Sequence, residues 1–210
     1  MRPLGQMFAV IPAVTSSLLM ERSKLLLPLA GATVVDRILS TLEHPAVTNR
    51  YVVVNHTDIA LQSEVTRHTG TLVVSDGDPA DMRASVSLAL DAIQREFAPS
   101  DDDGWLLAPA EYPALDGSLI EELMHCWHQA EPAILVPRFG ARRGHPTLFR
   151  WKFAREVARI PVGRGLNWLL REYASDVTEV IVDNDSAIAV LETDEDYAGM
   201  QAKWEESLAR

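Results

Sequence analysis

The sequence predicts an α/β protein in which helices cover both sides of a mostly parallel sheet. Short apolar runs alternate with helical stripes along all 210 residues, and turn residues separate them. The first run, Met7–Pro12, is apolar at every position, as expected of a strand buried on both faces of a parallel sheet. Strands that alternate with helices build three layers, with the sheet in the middle.

Composition and charge limit the kinds of protein that this chain can be. Hydrophobic residues make up 47% of the chain, which is enough for one sizeable core. The sequence shows no repeat, low-complexity tract or linker, so a single domain over residues 1–210 is the economical prediction. The net charge of -11 argues against non-specific binding to nucleic acid or to an anionic membrane, but it is compatible with a local basic pocket for a phosphate.

Cysteine content and hydropathy exclude further classes of protein, namely those with an internal disulfide, a cysteine zinc site or a membrane span. The single cysteine, Cys126, rules out an intramolecular disulfide and a cysteine zinc site. No apolar run approaches the length of a membrane span, and the N-terminal apolar stretch leads into a lysine-bearing loop rather than a cleavage site. We therefore expect a cytoplasmic protein, and the sequence leaves its oligomeric state open.

Hydrophobic periodicity sets the element order in the first half of the chain. Thr33 with Asp36 resembles a helix cap, and apolar residues at helical spacing follow it. A β-branched run and a second apolar run predict the next two strands. After the first strand, the predicted order is helix 33–43, strand 51–54, helix 58–69, strand 71–74 and a helix with the stripe Val86, Leu90, Ile93 and Phe97.

The second half of the chain continues the alternation. A short apolar strand ends at the turn PAEYP, because a proline on each side fixes that turn. Ser118 with Glu121 resembles a capping box that opens the next helix. The predicted elements are strand 105–108, a helix from 118, strand 133–136, helices 151–160 and 166–173, strands 177–182 and 187–191, and a last helix from Thr193.

The loop that follows the first strand is the first candidate site. In an α/β sheet, ligands bind just beyond the carboxyl ends of the strands. The loop carries Lys24 and closes on the apolar run KLLLP. A surface lysine is the alternative interpretation of Lys24, but its place after the first strand favours contact with a phosphate.

Four segments in order resemble the MobA-like nucleotidyltransferases, in particular the molybdenum-cofactor cytidylyltransferases. They are the opening stretch with KLLLPL, the turn PAEYP, the segment GARRGHPTLF and the ending LETDEDY. The resemblance covers nearly the whole chain. It implies a Rossmann-like fold that binds a nucleoside triphosphate and Mg²⁺, and that transfers a nucleotidyl group from CTP or GTP to the phosphate of molybdopterin, a pterin cofactor, with release of pyrophosphate.

The resemblance also implies roles for individual residues. Ser17 and Lys24 would hold the triphosphate, Met82 and Ser85 would contact the nucleotide, and Glu111 would bind the metal. Glu192 stands where the family has an aspartate near the metal, although Thr193 also makes it a helix-entry residue. The acceptor side would be the intact GRRGHP-type loop, in which glycines allow close approach and two arginines bind an anion. Its residues are Arg142, Arg143, Gly144 and His145.

Several positions depart from the family pattern. The family's loop reads approximately Ala-Ala-Gly-x-Ser-x-Arg-Met-Gly-x-x-Lys, and here Thr15 and Glu21 replace glycines while Leu19 replaces the arginine. A phosphate loop needs glycines for backbone approach and cations for charge. Glu111 replaces the metal-binding aspartate, which moves the carboxylate by roughly one bond length, and Mg²⁺ demands near-ideal geometry.

Two functional hypotheses follow. The first is a nucleotidyltransferase with a divergent nucleotide loop, with CTP as the first candidate nucleotide and a pterin phosphate as acceptor. The second is a catalytically impaired descendant that binds an anionic small molecule or serves as a partner subunit. The departures in the loop favour the second, whereas the order of the motifs and the intact acceptor loop favour the first.

Overall fold

The computed structural model describes residues 5–14, 18–19, 22–77, 79 and 81–208. The strands are β1 (Met7–Pro12), β2 (Leu18–Leu19), β3 (Arg22–Ser23), β4 (Pro28–Leu29), β5 (Ala32–Thr33), β6 (Asn49–Asn55), β7 (Thr71–Ser75), β8 (Gly104–Leu107), β9 (Ile134–Phe139), β10 (Arg142–Arg143), β11 (Thr147–Arg150) and β12 (Val177–Ile181). The helices are α1 (Val34–Thr41), α2 (Ile59–Val65), α3 (Met82–Phe97), α4 (Gly117–Ala130), α5 (Ala154–Val157), α6 (Asn167–Glu172) and α7 (Asp194–Leu208). Short 3₁₀ turns include Lys24–Leu26 and Ser186–Ile188.

One mostly parallel sheet organises the described residues. Its strand order is β10-β9-β11-β8-β1-β6-β7, and β12 also pairs with β9. The pairs of β1 with β6 and β8, of β6 with β7 and of β9 with β12 are parallel. β11 is antiparallel to both β8 and β9, and β10 is antiparallel to β9. The predicted mostly parallel sheet is confirmed.

The sheet is covered on both faces, and β1 shows why. Met7, Ala9 and Ile11 belong to one buried cluster, while Phe8 and Val10 belong to the other. Successive side chains of a strand point to opposite faces, so a strand that is apolar throughout supplies both clusters. Helices α1, α2, α4 and α7 contribute to the first cluster, and α3, α5 and α6 to the second. This is the predicted Rossmann-like, three-layer arrangement.

The predicted cap of α1 is confirmed, and the predicted cap of α4 is wrong. The Thr33 hydroxyl accepts the Asp36 amide at 3.1 Å, and the Asp36 carboxylate accepts the Thr33 amide at 3.0 Å. Helix α4 begins two residues earlier than Ser118 would place it, because Asp116 is its N-cap and accepts the Leu119 amide at 2.9 Å. An aspartate is at least as good an N-cap as a serine, so the earlier start is favoured.

The predictions after residue 140 need the largest corrections. No strand forms at 187–191, because the backbone there bonds to loops: the Ala187 carbonyl accepts the His145 amide, and the Leu191 amide donates to the Glu111 carbonyl, both at 2.8 Å. The sequence analysis also missed β11, which lies inside the sheet between β8 and β9. The predicted helix 151–160 is a 3₁₀ turn followed by the short α5.

Across the part of the chain that the structure describes, no helix combines the length and the apolar character needed to span a bilayer.

Candidate nucleotide and acceptor site

The carboxyl ends of β1 and β8 lie side by side and place the PAEYP turn at the edge of the sheet. The two strands are parallel, and their pairing continues past the strand ends because the Ala110 amide donates to the Pro12 carbonyl at 3.0 Å. Glu111 follows directly. In an open α/β sheet this edge is where ligands bind.

Lys24 and Glu111, the two predicted catalytic residues, form an ion pair at this edge. Lys24 Nζ lies 2.7 Å from Glu111 Oε1, and the side chains are 4% and 24% exposed. The 3₁₀ turn that holds Lys24 is anchored by the buried Leu25. An ammonium group removed from water needs a charged partner, and Glu111 supplies it.

Tyr112, which the sequence analysis did not single out, lies among the charges of the site. Burial raises the pKa of its phenol, the charges of Glu111 and Glu192 raise it further, and the charge of Arg142 lowers it. The Glu192 backbone is brought to this place by the hydrogen bond from the Leu191 amide to the Glu111 carbonyl. The charges of the two predicted metal ligands and of one predicted acceptor residue therefore all act on a single phenol.

His145 connects the acceptor loop to the same turn. Its ring packs edge-on against Tyr112, with 4.7 Å between ring centroids. Nδ1 lies 3.2 Å from the Leu107 carbonyl oxygen, which can only accept, so Nδ1 carries the proton. Burial lowers the pKa of His145 to about 4, against a carbonyl contact that raises it. At neutral pH the ring is therefore neutral, and Nε2 is its acceptor.

The two arginines of the acceptor loop differ in their partners. Arg143 Nε donates to Glu179 Oε1 at 2.7 Å, and Arg138 Nε lies 2.8 Å from the other oxygen of the same carboxylate. Arg142 makes no ion pair with any other described residue, and its charge acts on Tyr112. Adjacent strand residues face opposite ways, so Arg142 lies on the face opposite to the one on which Arg143 pairs with Glu179.

Asp196 is a second residue that the sequence analysis missed. The pKa of its carboxyl is lowered by hydrogen bonds from the Thr193 and Glu192 amides and by the charge of Lys24, while burial opposes the shift. Thr193 and Asp196 form a capping box at the start of α7, with the reciprocal bond from the Asp196 amide to the Thr193 hydroxyl at 3.1 Å. The spacing T-x-x-D was the signal that could have located this carboxylate.

The remaining predicted nucleotide contacts are not brought together with this group by any described contact. Met82 is exposed at the start of α3, whereas Ser85 is buried within that helix at 2% exposure. Asp81 caps α3 by accepting the Ala84 amide at 2.9 Å. Thr15, Ser17 and Glu21 lie outside the described residues, and only the backbone of Leu19 is described.

Glu111 and Glu192 would suit a metal ion whose remaining ligands are phosphate oxygens and water. The described residues contain no group of three or more His, Cys, Asp or Glu side chains that could hold an ion. Mg²⁺ is usually bound by one or two carboxylates, with phosphates and waters completing its coordination. Glu111 and Glu192, whose charges both act on Tyr112, are the two carboxylates that the sequence predicts for this role.

Comparison with known families identifies the domain. The model of the MobA-like NTP transferase domain matches residues 9–177, a range that contains most of β1, Lys24, Glu111 and the acceptor loop. The chain belongs to the MobA-like NTP transferase domain family. A search of curated proteins finds no match.

Solved structures show the same fold at low sequence identity. Rv0371c from Mycobacterium tuberculosis is 21% identical, with a TM-score of 0.80 over 94% of this chain and 98% of that one, and it has also been solved with manganese. A nucleotidyl transferase from Methanothermobacter thermautotrophicus is 19% identical, with a TM-score of 0.78 over 96% and 99%. A CMP:2-keto-3-deoxy-manno-octonic acid synthetase complexed with CTP is 12% identical, with a TM-score of 0.72 over 97% and 100%.

Proposed function

We propose that this protein transfers a nucleotidyl group from a nucleoside triphosphate to a phosphorylated acceptor and releases pyrophosphate. The observation that carries the proposal is the ion pair of Lys24 with Glu111 at the carboxyl ends of β1 and β8, in a chain of the MobA-like family. A cation for phosphate and a carboxylate for a metal are the two groups that this reaction needs side by side.

On the nucleotide side, each residue that the sequence predicts would have its own role. Lys24 would bind the triphosphate together with Ser17, and Met82 and Ser85 would lie toward the nucleoside. Glu111 and Glu192 would hold Mg²⁺, which supplies charge neutralisation for the leaving pyrophosphate. A structural neighbour solved with manganese and another solved with CTP support a divalent cation and CTP as the first candidates.

The acceptor loop would orient the attacking group. Arg142 would bind the acceptor phosphate, with Gly144 and the neutral His145 shaping the loop and Arg143 holding it to Glu179. An oxygen of that phosphate forms the new bond to the α-phosphorus, and the bond between the α-phosphorus and the oxygen bridging to the β-phosphorus breaks. The phosphate of molybdopterin is the first candidate acceptor.

Calorimetry and a product assay test the proposal. CTP, GTP and ATP are titrated with Mg²⁺ into the wild type and into Lys24→Ala, and pyrophosphate release is then measured with a molybdopterin acceptor. Binding of one nucleotide that is lost in Lys24→Ala, together with pyrophosphate release, is the expected result. The absence of binding for all three nucleotides at millimolar concentration would sink the proposal.

A second candidate is an impaired descendant that binds an anionic small molecule. One observation favours it: Arg143 pairs with Glu179, so only one of the two arginines of the acceptor loop is left for an anion. A single anion would then bind at Arg142 without metal or turnover. Binding of a phosphorylated pterin without pyrophosphate release under any nucleotide would support this candidate over the first.

A further inference from the structure

The Lys24–Glu111 ion pair occupies both groups that the proposed function assigns to the triphosphate and the metal. The 2.7 Å contact joins Nζ directly to Oε1, and the lysine side chain is almost fully buried. A cation that binds Glu111 therefore lies beside the Lys24 ammonium, and an anion that binds Lys24 lies beside the Glu111 carboxylate. The inference that follows rests on the proposed function, but its first experiment does not.

A divalent cation alone is a poor competitor for this pair. It would take the Glu111 carboxylate and leave the buried ammonium of Lys24 unpaired beside a dication. Asp196 is held in the cap of α7, where its Oδ2 accepts bonds from the Glu192 amide and from the Thr193 amide and hydroxyl, and the ion-pair partner of Lys24 is Glu111. Breaking a buried pair by removing one partner is far more costly than removing both.

A free triphosphate meets the converse difficulty. It would take Lys24 and leave Glu111 and Glu192 facing a polyanion, and like charges at this range repel. A metal–triphosphate complex exchanges both partners at once, since phosphate replaces the carboxylate at Lys24 and metal replaces the ammonium at Glu111. Of the three ligands, only the metal–triphosphate complex gives both Lys24 and Glu111 an oppositely charged partner.

We propose that the Lys24–Glu111 pair makes the site selective for the metal–nucleotide complex as one ligand, against free divalent cations and free triphosphate. The pair acts as an internal counterion that occupies the metal position until phosphate releases Lys24. Metal and nucleotide affinities are then coupled, and each raises the other by the same factor.

The metal arm of the test uses Mn²⁺ without nucleotide. Binding is measured by electron paramagnetic resonance for the wild type, Lys24→Met and Lys203→Met. Lys203 is the matched control, because it also lies 2.7 Å from a carboxylate, that of Asp185, but is 69% exposed. Lys24→Met is expected to bind Mn²⁺ about tenfold more tightly than the wild type, within the usual range of such couplings, and Lys203→Met to match the wild type. Equal affinities in the wild type and Lys24→Met, or an equal gain in Lys203→Met, would overturn the proposal.

A second lysine variant guards against misfolding. Lys24→Gln keeps a neutral donor toward Glu111 and should raise Mn²⁺ affinity in the same direction as Lys24→Met. Thermal unfolding curves establish that each variant is folded before it is compared. If the Lys24→Gln variant is folded but binds Mn²⁺ no more tightly than the wild type, Lys24 does not act as an internal counterion.

The nucleotide arm separates this inference from the proposed function. Glu111→Gln frees Lys24, so it should bind metal-free CTP about tenfold more tightly than the wild type and lose the mutual enhancement between Mn²⁺ and CTP. If neither the wild type nor any variant binds CTP, with or without Mn²⁺, the proposed function is wrong. The Mn²⁺ titrations without nucleotide still test whether Lys24 acts as the counterion of Glu111. If the wild type binds CTP equally well with and without Mn²⁺, the coupling is absent and the inference is wrong.

Discussion

At the scale of single residues, the two ends of the Lys24–Glu111 pair are unequal. Lys24 is 4% exposed and Glu111 is 24% exposed, so only the carboxylate can recover water when its partner is removed. Glu111→Ala strands a buried ammonium and should lower the free energy of unfolding by about 3 kcal/mol. Lys24→Met, which keeps the apolar stem, should cost less. Urea denaturation of both variants measures the difference, and a larger loss in Lys24→Met would contradict this account.

His145 makes stability depend on pH in a defined window. Its pKa is about 4 in the folded protein against an ordinary value of 6.5. Between these values the unfolded chain binds a proton that the native imidazole refuses, so stability falls as pH falls from about 6.5 toward 4, by up to about 3 kcal/mol. Above pH 6.5 both states are neutral and His145 contributes no slope.

His145→Gln tests this dependence. The glutamine amide can still donate to the Leu107 carbonyl, but it does not titrate. Denaturant midpoints are measured at pH 7, 6 and 5 for both proteins, so that carboxylates common to the two cancel in the difference. The wild type is expected to lose more stability than the variant between pH 7 and pH 5. Parallel pH profiles would show that His145 is protonated in the native state.

At the scale of elements, the acceptor loop is fixed by a close approach at Gly144. A Cβ atom on Gly144 would lie 2.2 Å from the Ala187 carbonyl oxygen, which is backbone and cannot rotate away. The same carbonyl accepts the His145 amide. Gly144→Ala should therefore displace the segment 186–191, with a loss of about 3 kcal/mol or more in the free energy of unfolding.

Gly199→Ala is the matched control for Gly144→Ala. Gly199 lies inside α7, and an added Cβ there would meet no other atom within 4 Å. Because alanine is the better helix former, this variant should gain up to about 1 kcal/mol. Thermal unfolding of the two variants gives opposite shifts if close approach decides the effect, and a neutral Gly144→Ala would show that the loop can relax.

The elements that the sequence predicted are those whose signal is local. β1 was predicted because every residue of Met7–Pro12 is apolar, and α1 because the spacing of Thr33 and Asp36 resembles a helix cap; the structure has both elements. The segment 187–191 is a continuous apolar run like a buried strand, yet its backbone bonds to His145 and Glu111, which are distant in sequence. The periodicity of hydrophobic residues carries no information about hydrogen-bond partners that are distant in sequence.

The residues of the candidate site also fall into two groups: those that a local sequence motif predicts and those whose place depends on tertiary contacts. Lys24, Glu111 and His145 were found because each lies in a motif of recognisable order. Tyr112 and Asp196 were missed because their place depends on how α7 and the PAEYP turn meet, and Arg143 could not be told from Arg142 without the facing Glu179. Which of two neighbouring arginines faces the site is a property of the strand pairing.

At the scale of the whole molecule, the family match ends at residue 177, but the structure after it belongs to the same core. β12 joins the sheet beside β9, and Tyr197 and Met200 of α7 are buried in the first cluster. The Tyr197 hydroxyl donates to the Pro28 carbonyl, next to the turn that holds Lys24. The segment 178–208 is thus joined both to the sheet and to the candidate site.

These contacts lead us to expect that α7 and β1 unfold together. Native-state hydrogen exchange in increasing urea should bring the slowest amides of α7 and of β1 to one common free energy of opening. Arg37 stacks over Trp204 of α7, with 4.3 Å to the ring centroid, so Trp204→Phe gives a fluorescence difference that reports on α7 alone. The midpoint of that difference should coincide with the far-ultraviolet circular dichroism midpoint. An α7 that opens at a lower free energy than β1 would make residues 178–208 an independently mobile cover of the site, and the one-domain prediction over residues 1–210 would then be wrong.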